Sequence, residues 1–325
     1  MARGGRVLRG GSGVVAGALG LAALSLASLS RAEAVRSLPT FGAGVEVVNL
    51  NLSVTDVSQR HVGNLDARDL VLLESGEPQE ITLFARETVP LSLGILIDGS
   101  SSMGLHLKVT RAAALRLIGT LGPQDEAQVA QFDRRLRVLA GPTSDRAELE
   151  EAVRSLRADG ETALHDALYV ALKEVRAARG AGDLRRRALV LLSDGADTAS
   201  LSRDEEVLDL ARRAEVSLYA IGLPAPAILP SADRRPDYFL SALARETGGQ
   251  AFFPASLADL DGVFERIAEE LHTLYAVGYV SRNPSRDGGW RPLAIHTSRG
   301  DLLVRHRSGY YAPKGALGSP LRLTR

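Results

Sequence analysis

The spacing of apolar residues divides the chain into stretches of different character. Residues 45–54 (Val-Glu-Val-Val-Asn-Leu-Asn-Leu-Ser-Val) alternate in the manner of a half-buried strand. Segments 70–74 and 81–84 have the same character, and Glu74-Ser75-Gly76-Glu77-Pro78 between them reads as a turn by composition. Nothing here has helical period, so a small sheet is expected.

At Pro90 the pattern changes. Residues 91–98 form a short, nearly continuous apolar run ending in an acid, Asp98, and residues 187–194 repeat that design with Asp194 at the end. Such runs suit strands buried on both faces of a parallel sheet. Helical period appears over 105–121, 146–157, 163–179, 203–214, 238–247 and 257–271. Further strands are expected at 127–132, 136–139, 216–222 and 250–253. Strands alternating with helices imply right-handed βαβ units. After Leu274 strand character returns at 275–280, 293–297, 302–305 and 310–311. The reading is a Rossmann-like, doubly wound, mostly parallel α/β sheet inserted into a small β-sandwich-like domain. Its boundaries are 45–89 and 274–313 for the β domain, 90–273 for the α/β domain and 314–325 for a tail.

The N-terminal stretch 1–34 stands apart. Arg3, Arg6 and Arg9 precede a small and apolar run, and Ala32-Glu33-Ala34 follows as a cleavage-like site, the parts of a secretory signal. The expectation is export to the periplasm, the envelope or the medium, with retention as an uncleaved membrane anchor as the alternative fate.

Charge and cysteine content narrow the chemistry. The 325 residues hold 39 Lys+Arg against 39 Asp+Glu, which removes the basic field of a sequence-independent nucleic-acid binder. With no cysteine there are no thiolate metal sites, disulfides or cysteine nucleophile. The six histidines are scattered and form no zinc-like pair.

In open α/β sheets ligands bind beyond the carboxyl ends of strands, near the switch in strand order. There lie Asp98-Gly99-Ser100-Ser101-Ser102, Thr162 in Gly160-Glu161-Thr162, and Asp194. A carboxylate followed at alternate positions by two hydroxyls can converge on one small hard cation, which prefers oxygen ligands and keeps several waters. Neutral hydroxyls cancel little of the metal's charge, so an outside carboxylate would still be attracted. The bland reading makes Ser100 and Ser102 a helix N-cap and polar loop. Asp197 reads as a loop cap, and His165 as a packed or solvated residue outside the site.

The pattern D-x-S-x-S at Asp98–Ser102, then a distant Thr162 and a distant Asp194, resembles the metal-ion-dependent adhesion site of von Willebrand factor A (VWFA) domains over about residues 90–271. The flanks at 47–54, 74–79 and 309–311 resemble a bacterial, acidobacterial-type group of VWFA-related proteins. The resemblance implies that Ser100 and Ser102 ligate Mg²⁺ or Mn²⁺ directly and that Thr162 does so in the ligand-engaged form. Asp98 and Asp194 would bind directly or through water, and a protein partner's Asp or Glu would complete the shell. The implied function is cation-dependent adhesion or assembly, without catalysis.

Two rivals remain. A Mg²⁺-dependent phosphohydrolase would want a second acid two residues after Asp98, where Ser100 stands, and a lysine, for which helical Lys108 and Lys173 are poor candidates. A scaffold with a non-functional metal site is the other. The glycine spacing of Gly99 to Gly104 mimics a phosphate loop, but Leu105-His106 stands where Lys and Ser/Thr belong.

Overall fold

Two apolar runs that end in acids lie side by side at the centre of the largest sheet. The computed structural model describes residues 47–86, 89–178, 185–194, 197–224 and 235–315. In chain order these form β1 (Val47–Asp56), β2 (Leu70–Glu74), β3 (Glu77–Gln79), β4 (Ile81–Arg86) and β5 (Leu91–Asp98). Next come α1 (Leu107–Gly119), β6 (Glu126–Phe132), β7 (Leu136–Thr143), α2 (Arg146–Ser155), α3 (Leu164–Ala177) and β8 (Arg186–Ser193). They are followed by α4 (Asp204–Ala214), β9 (Ser217–Gly222), α5 (Arg235–Thr247), β10 (Ala251–Phe252) and α6 (Leu260–Thr273). The chain closes with β11 (Tyr275–Val280), β12 (Trp290–Thr297), β13 (Leu302–Arg305) and β14 (Gly309–Tyr311).

The six-stranded sheet has the order β10-β9-β8-β5-β6-β7, parallel except for β7, which runs antiparallel to β6. The chain leaves β5 toward β6 and β7, then returns to place β8 on the other side of β5. The switch in strand order therefore falls between β5 and β8, where Ile97 pairs with Leu192. Every residue of β8 is buried, as its unbroken apolar run requires. Helices α1, α2 and α6 cover one face and α3, α4 and α5 the other, each face with its own apolar cluster. In α1 the buried residues Thr110, Ala113, Ala114, Leu117 and Ile118 keep the three-and-four spacing of one helical stripe.

Two four-stranded antiparallel sheets, β13-β1-β11-β4 and β14-β12-β2-β3, enclose a third cluster built on Leu50, Leu52, Leu72, Tyr275 and Tyr279. Each mixes strands from before and after the α/β region: β1 pairs β11 from Val47↔Val280 to Leu52↔Tyr275. In the other sheet β2 pairs β12 from Leu70↔Thr297 to Glu74↔Leu293. The α/β region is thus inserted into a β sandwich, and all described residues belong to one compact unit.

Several boundaries differ from those expected. The turn read at Glu74–Pro78 is tighter: only Ser75 and Gly76 form it, both at positive φ (52° and 87°), and Glu77-Pro78-Gln79 is strand β3. Two positive-φ residues in a row suit the tight hairpin turn. Pro78 is tolerated because β3 lies at a sheet edge, paired only with β2. Strand β7 continues to Thr143 rather than stopping at 139. A 3-10 turn over Ser101–Leu105 precedes α1, and another over Leu257–Asp259 precedes α6. The 1–34 segment lies outside the described residues, as does the 314–325 tail beyond Gly315. Among the described residues no helix is long and apolar enough to cross a membrane.

Candidate metal centre

Strand β5 delivers Asp98, wholly buried, to the carboxyl end of the sheet. Its Oδ1 accepts the Ser100 backbone N–H at 2.9 Å, folding the loop back on the strand end. Its Oδ2 accepts the Ser193 hydroxyl at 2.6 Å from the last residue of β8. Ser193 is not among the residues expected at the site. Its one signal is that it immediately precedes Asp194 at the end of an apolar strand.

Ser100 stands at the N-cap position of the 3-10 turn, yet its side chain makes no capping hydrogen bond. The N-cap reading of this serine therefore fails. Its Oγ instead lies 3.0 Å from Ser102 Oγ, so the two hydroxyls converge. Ser100 is buried and Ser102 exposed.

Close packing fixes the loop. A Cβ on Gly99 would come within 2.0 Å of Gln131 Nε2. That amide is itself held, donating to Arg157 O at 2.8 Å and accepting from Arg157 N at 3.0 Å. Gly99 N–H donates to Phe132 O, Asp159 N–H to Gly99 O and Ser101 N–H to Gly160 O, at 2.6, 2.7 and 3.0 Å. These bonds join the D-x-S-x-S loop to the segment that carries Thr162, a buried residue at the entrance to α3. The links to Thr162 run through backbone: its N–H donates to Thr198 Oγ1, and its carbonyl accepts from Thr198 N–H and Ala199 N–H.

Asp194 follows β8 directly, partly exposed, and its Oδ1 is buried without a hydrogen-bond partner. Burial pushes the Asp98 carboxyl up to about 6, opposed by its bonds to Ser193 and Ser100 and reinforced by the negative charge of Asp194. Asp98 and Asp194 thus stand at the carboxyl ends of the paired strands β5 and β8, near enough for their charges to interact, and Asp194 keeps an unpaired buried oxygen. An unmet buried carboxylate oxygen is costly. A small hard cation would relieve both the unmet acceptor and the repulsion, and the donor set is wholly oxygen, so the residues present fit Mg²⁺ or Mn²⁺. Among the described residues no cluster of three or more His, Cys, Asp or Glu offers a different kind of metal site.

Asp197 behaves as a loop cap, accepting Ala199 N–H and Ser200 N–H on Oδ1. His165 is engaged rather than free: its Nδ1 lies 3.0 Å from Asp197 Oδ2 and its Nε2 3.4 Å from Asp204 Oδ1.

Residues 93–196 match the sequence profile of the von Willebrand factor type A domain, a span that contains all five candidate donors. The chain carries a von Willebrand factor type A domain. A UPF0353 protein of Mycolicibacterium gilvum is 26% identical over 238 residues, covering 66% of this chain and 69% of that one. Inter-alpha-trypsin inhibitor heavy chain H4 of Sus scrofa is 26% identical over 207 residues, 59% of this chain but only 22% of its own length. Among solved structures, a von Willebrand factor type A protein from Catenulispora acidiphila superposes with a TM-score of 0.48 at 14% identity. That superposition covers 84% of this chain and 75% of the other. Von Willebrand factor A domains are typically protein-interaction or adhesion modules.

Proposed function

We propose that this domain binds Mg²⁺ or Mn²⁺ through Asp98, Ser100, Ser102, Thr162 and Asp194, and through the ion an Asp or Glu of a protein partner. The observation that carries this reading is the unpaired buried oxygen of Asp194 at the end of the strand next to that of Asp98, whose loop brings the Ser100 and Ser102 hydroxyls together. Asp98 is oriented by Ser193 and by the Ser100 amide, so its position does not depend on the ion. Exposed Ser102 lies on the side open to a partner. A bound divalent cation supplies the positive charge that attracts the partner's carboxylate. The reading is of a binding module and not of an enzyme: the position two residues after Asp98, where a phosphohydrolase would hold its acid, is Ser100, and its hydroxyl is turned to Ser102. The basic-then-apolar stretch of 1–34 supports an exported setting for that binding.

The test is a thermal melt in chelator and in excess Mg²⁺ or Mn²⁺. A ligand at 100 times its Kd stabilises by about 2.7 kcal/mol. For a domain of this size that raises Tm by roughly 5–10 °C. The shift should vanish in Asp98→Ala and in the double variant Ser100→Ala/Ser102→Ala. Identical melts of the parent with cation and with chelator would sink the site.

A further inference from the structure

The two donors farthest from the Asp98 loop, Thr162 and Asp194, lie on separate pieces of chain, and their separation must be set by something other than the loop. Helix α3 shows what does. Its N-cap residue is Ala163, which has no side-chain oxygen, and no side chain of its own caps it. The amides of a helix's first turn have no intrahelical acceptor and need partners. Here the segment after Asp194 supplies them: His165 N–H donates to Asp197 Oδ2 at 2.9 Å and Asp166 N–H to Ser200 Oγ at 3.0 Å.

The exchange is reciprocal. The Asp166 carboxylate accepts Ser202 N–H at 2.8 Å and Leu201 N–H at 3.1 and 3.2 Å on its two oxygens. The His165 ring lies against Asp197 and Asp204 and packs edge-on to Phe239 of α5, ring centres 4.5 Å apart. Asp197 is three residues beyond Asp194, so the two α-carbons are at most about 11 Å apart whatever the path between them. Anchoring Asp197 to the third residue after Thr162 therefore restricts where Asp194 can be.

We infer that Asp197, His165 and Asp166 are positioning residues of the metal site, clamping the segment that follows Asp194 onto the first turn of α3 so that Asp194 and Thr162 are held ready for the ion. The inference rests on the metal reading above and adds to it which residues pre-organise the donors. Donors already held in place lose little freedom on binding, whereas mobile ones must be ordered by the ion. The competing role is simple capping of α3, which would alter stability without altering affinity.

Mn²⁺ titration of the full chain separates the two, at a temperature where each variant is folded by circular dichroism. Loss of an outer positioning partner commonly weakens metal binding about 10–100-fold, and Asp197→Ala should fall in that range. Asp197→Asn should lose less, since asparagine keeps an oxygen for the amides of Ala199 and Ser200, and His165→Gln should lose at least threefold. Asp145→Ala is the control: it removes the N-cap that accepts Ala147 N–H and Glu148 N–H at the start of α2. It should lower Tm and leave Mn²⁺ affinity unchanged. Asp197→Ala with parent-like affinity and a lowered Tm would overturn the clamp and leave capping as its role. If Asp197→Ala does not fold, parent-like affinity in both Asp197→Asn and His165→Gln overturns it equally. A parent that binds no Mn²⁺ sinks the metal reading and the clamp together. A parent that binds, with variants that bind as well, sinks only the clamp.

Discussion

At the scale of single residues, the site is defined by what its oxygens lack. Asp98 has both carboxylate oxygens occupied, by the Ser100 amide and the Ser193 hydroxyl, whereas Asp194 keeps one buried oxygen with no partner. The D-x-S-x-S spacing was legible because it lies within five consecutive residues. Ser193 was not, because its role depends on β8 lying beside β5. The role of His165 is hidden for the same reason: its partners are 32 and 39 positions away in the chain. Burial alone would push the His165 imidazole down, but the hydrogen bond and charge of Asp197, with Asp204 and Asp166, outweigh it and raise the group above its ordinary value. Burial likewise opposes ionisation of Asp197, yet the bonds from His165 and Ser200 hold its carboxyl well below the usual range. The lowered Asp197 contributes stability above its unfolded value near 3.8, lost as pH falls through its folded one. The raised His165 contributes below its unfolded value near 6.5, lost as pH rises through its folded one. Both contributions are therefore full only between about pH 4 and 6.5. In chelator, the difference in unfolding free energy between parent and Asp197→Asn should be widest near pH 5, at about 1–2 kcal/mol, and should shrink by pH 8–9. A gap that grows toward alkaline pH would contradict the pairing.

At the scale of elements, long apolar runs show in the sequence and short polar strands do not. β5 and β8 stood out because burial on both faces demands an unbroken apolar run, and α1 because one stripe faces the sheet. β3 is not legible as a strand because Glu77-Pro78-Gln79 has no large apolar side chain to bury, and its first two residues read as turn. It is a strand only because an edge position needs hydrogen bonds to one neighbour. The hairpin carries its own expectation. Gly76 sits at φ 87°, a conformation that a β-branched residue enters at a cost of about 1–2 kcal/mol. Gly76→Val should thus lower Tm by several degrees, while Ser75→Gly, at φ 52°, should be neutral or slightly stabilising. Equal melting of parent and Gly76→Val would refute the turn geometry.

At the scale of the whole molecule, buried polar groups decide how the layers are joined. Glu74 of β2, almost wholly buried, accepts four donors. They are Tyr279 (2.7 Å) and Ser281 (2.8 Å) from the first small sheet's side, and Tyr310 (3.1 Å) and Arg291 (3.2 Å) from the second. Removing the acid would leave the buried Arg291 guanidinium with only the Ser285 carbonyl and the more distant Asp287 carboxylate, and loss of one partner of a buried ion pair costs about 3–5 kcal/mol. Glu74→Ala should therefore shift the urea midpoint strongly, while the protein that remains folded keeps the cation-induced shift of the parent. A loss below about 1 kcal/mol would show the cluster to be dispensable. A second group joins the sandwich to the α/β sheet: Glu270 of α6 accepts from the Tyr219 hydroxyl at 2.7 Å and pairs with Arg305 of β13. Arg305 also donates to Gln250 Oε1 at 2.8 Å and Gly248 O at 3.3 Å.

By itself the sequence determined the α/β alternation, the placement of two acids at strand ends and the alternate hydroxyls that follow the first of them. These follow from local periodicity and from which residue types are present. Only the tertiary structure decided that β8 returns to the side of β5, which brings Ser193 and Asp194 to Asp98. It alone decided that Ser100 turns its hydroxyl to Ser102 instead of capping a helix, and that the segment after Asp194 caps α3 from outside. The reason is the same in each case: a buried polar atom takes its partner from whatever the packed layers bring within hydrogen-bond reach, and that neighbour is set by strand order, not by distance along the chain.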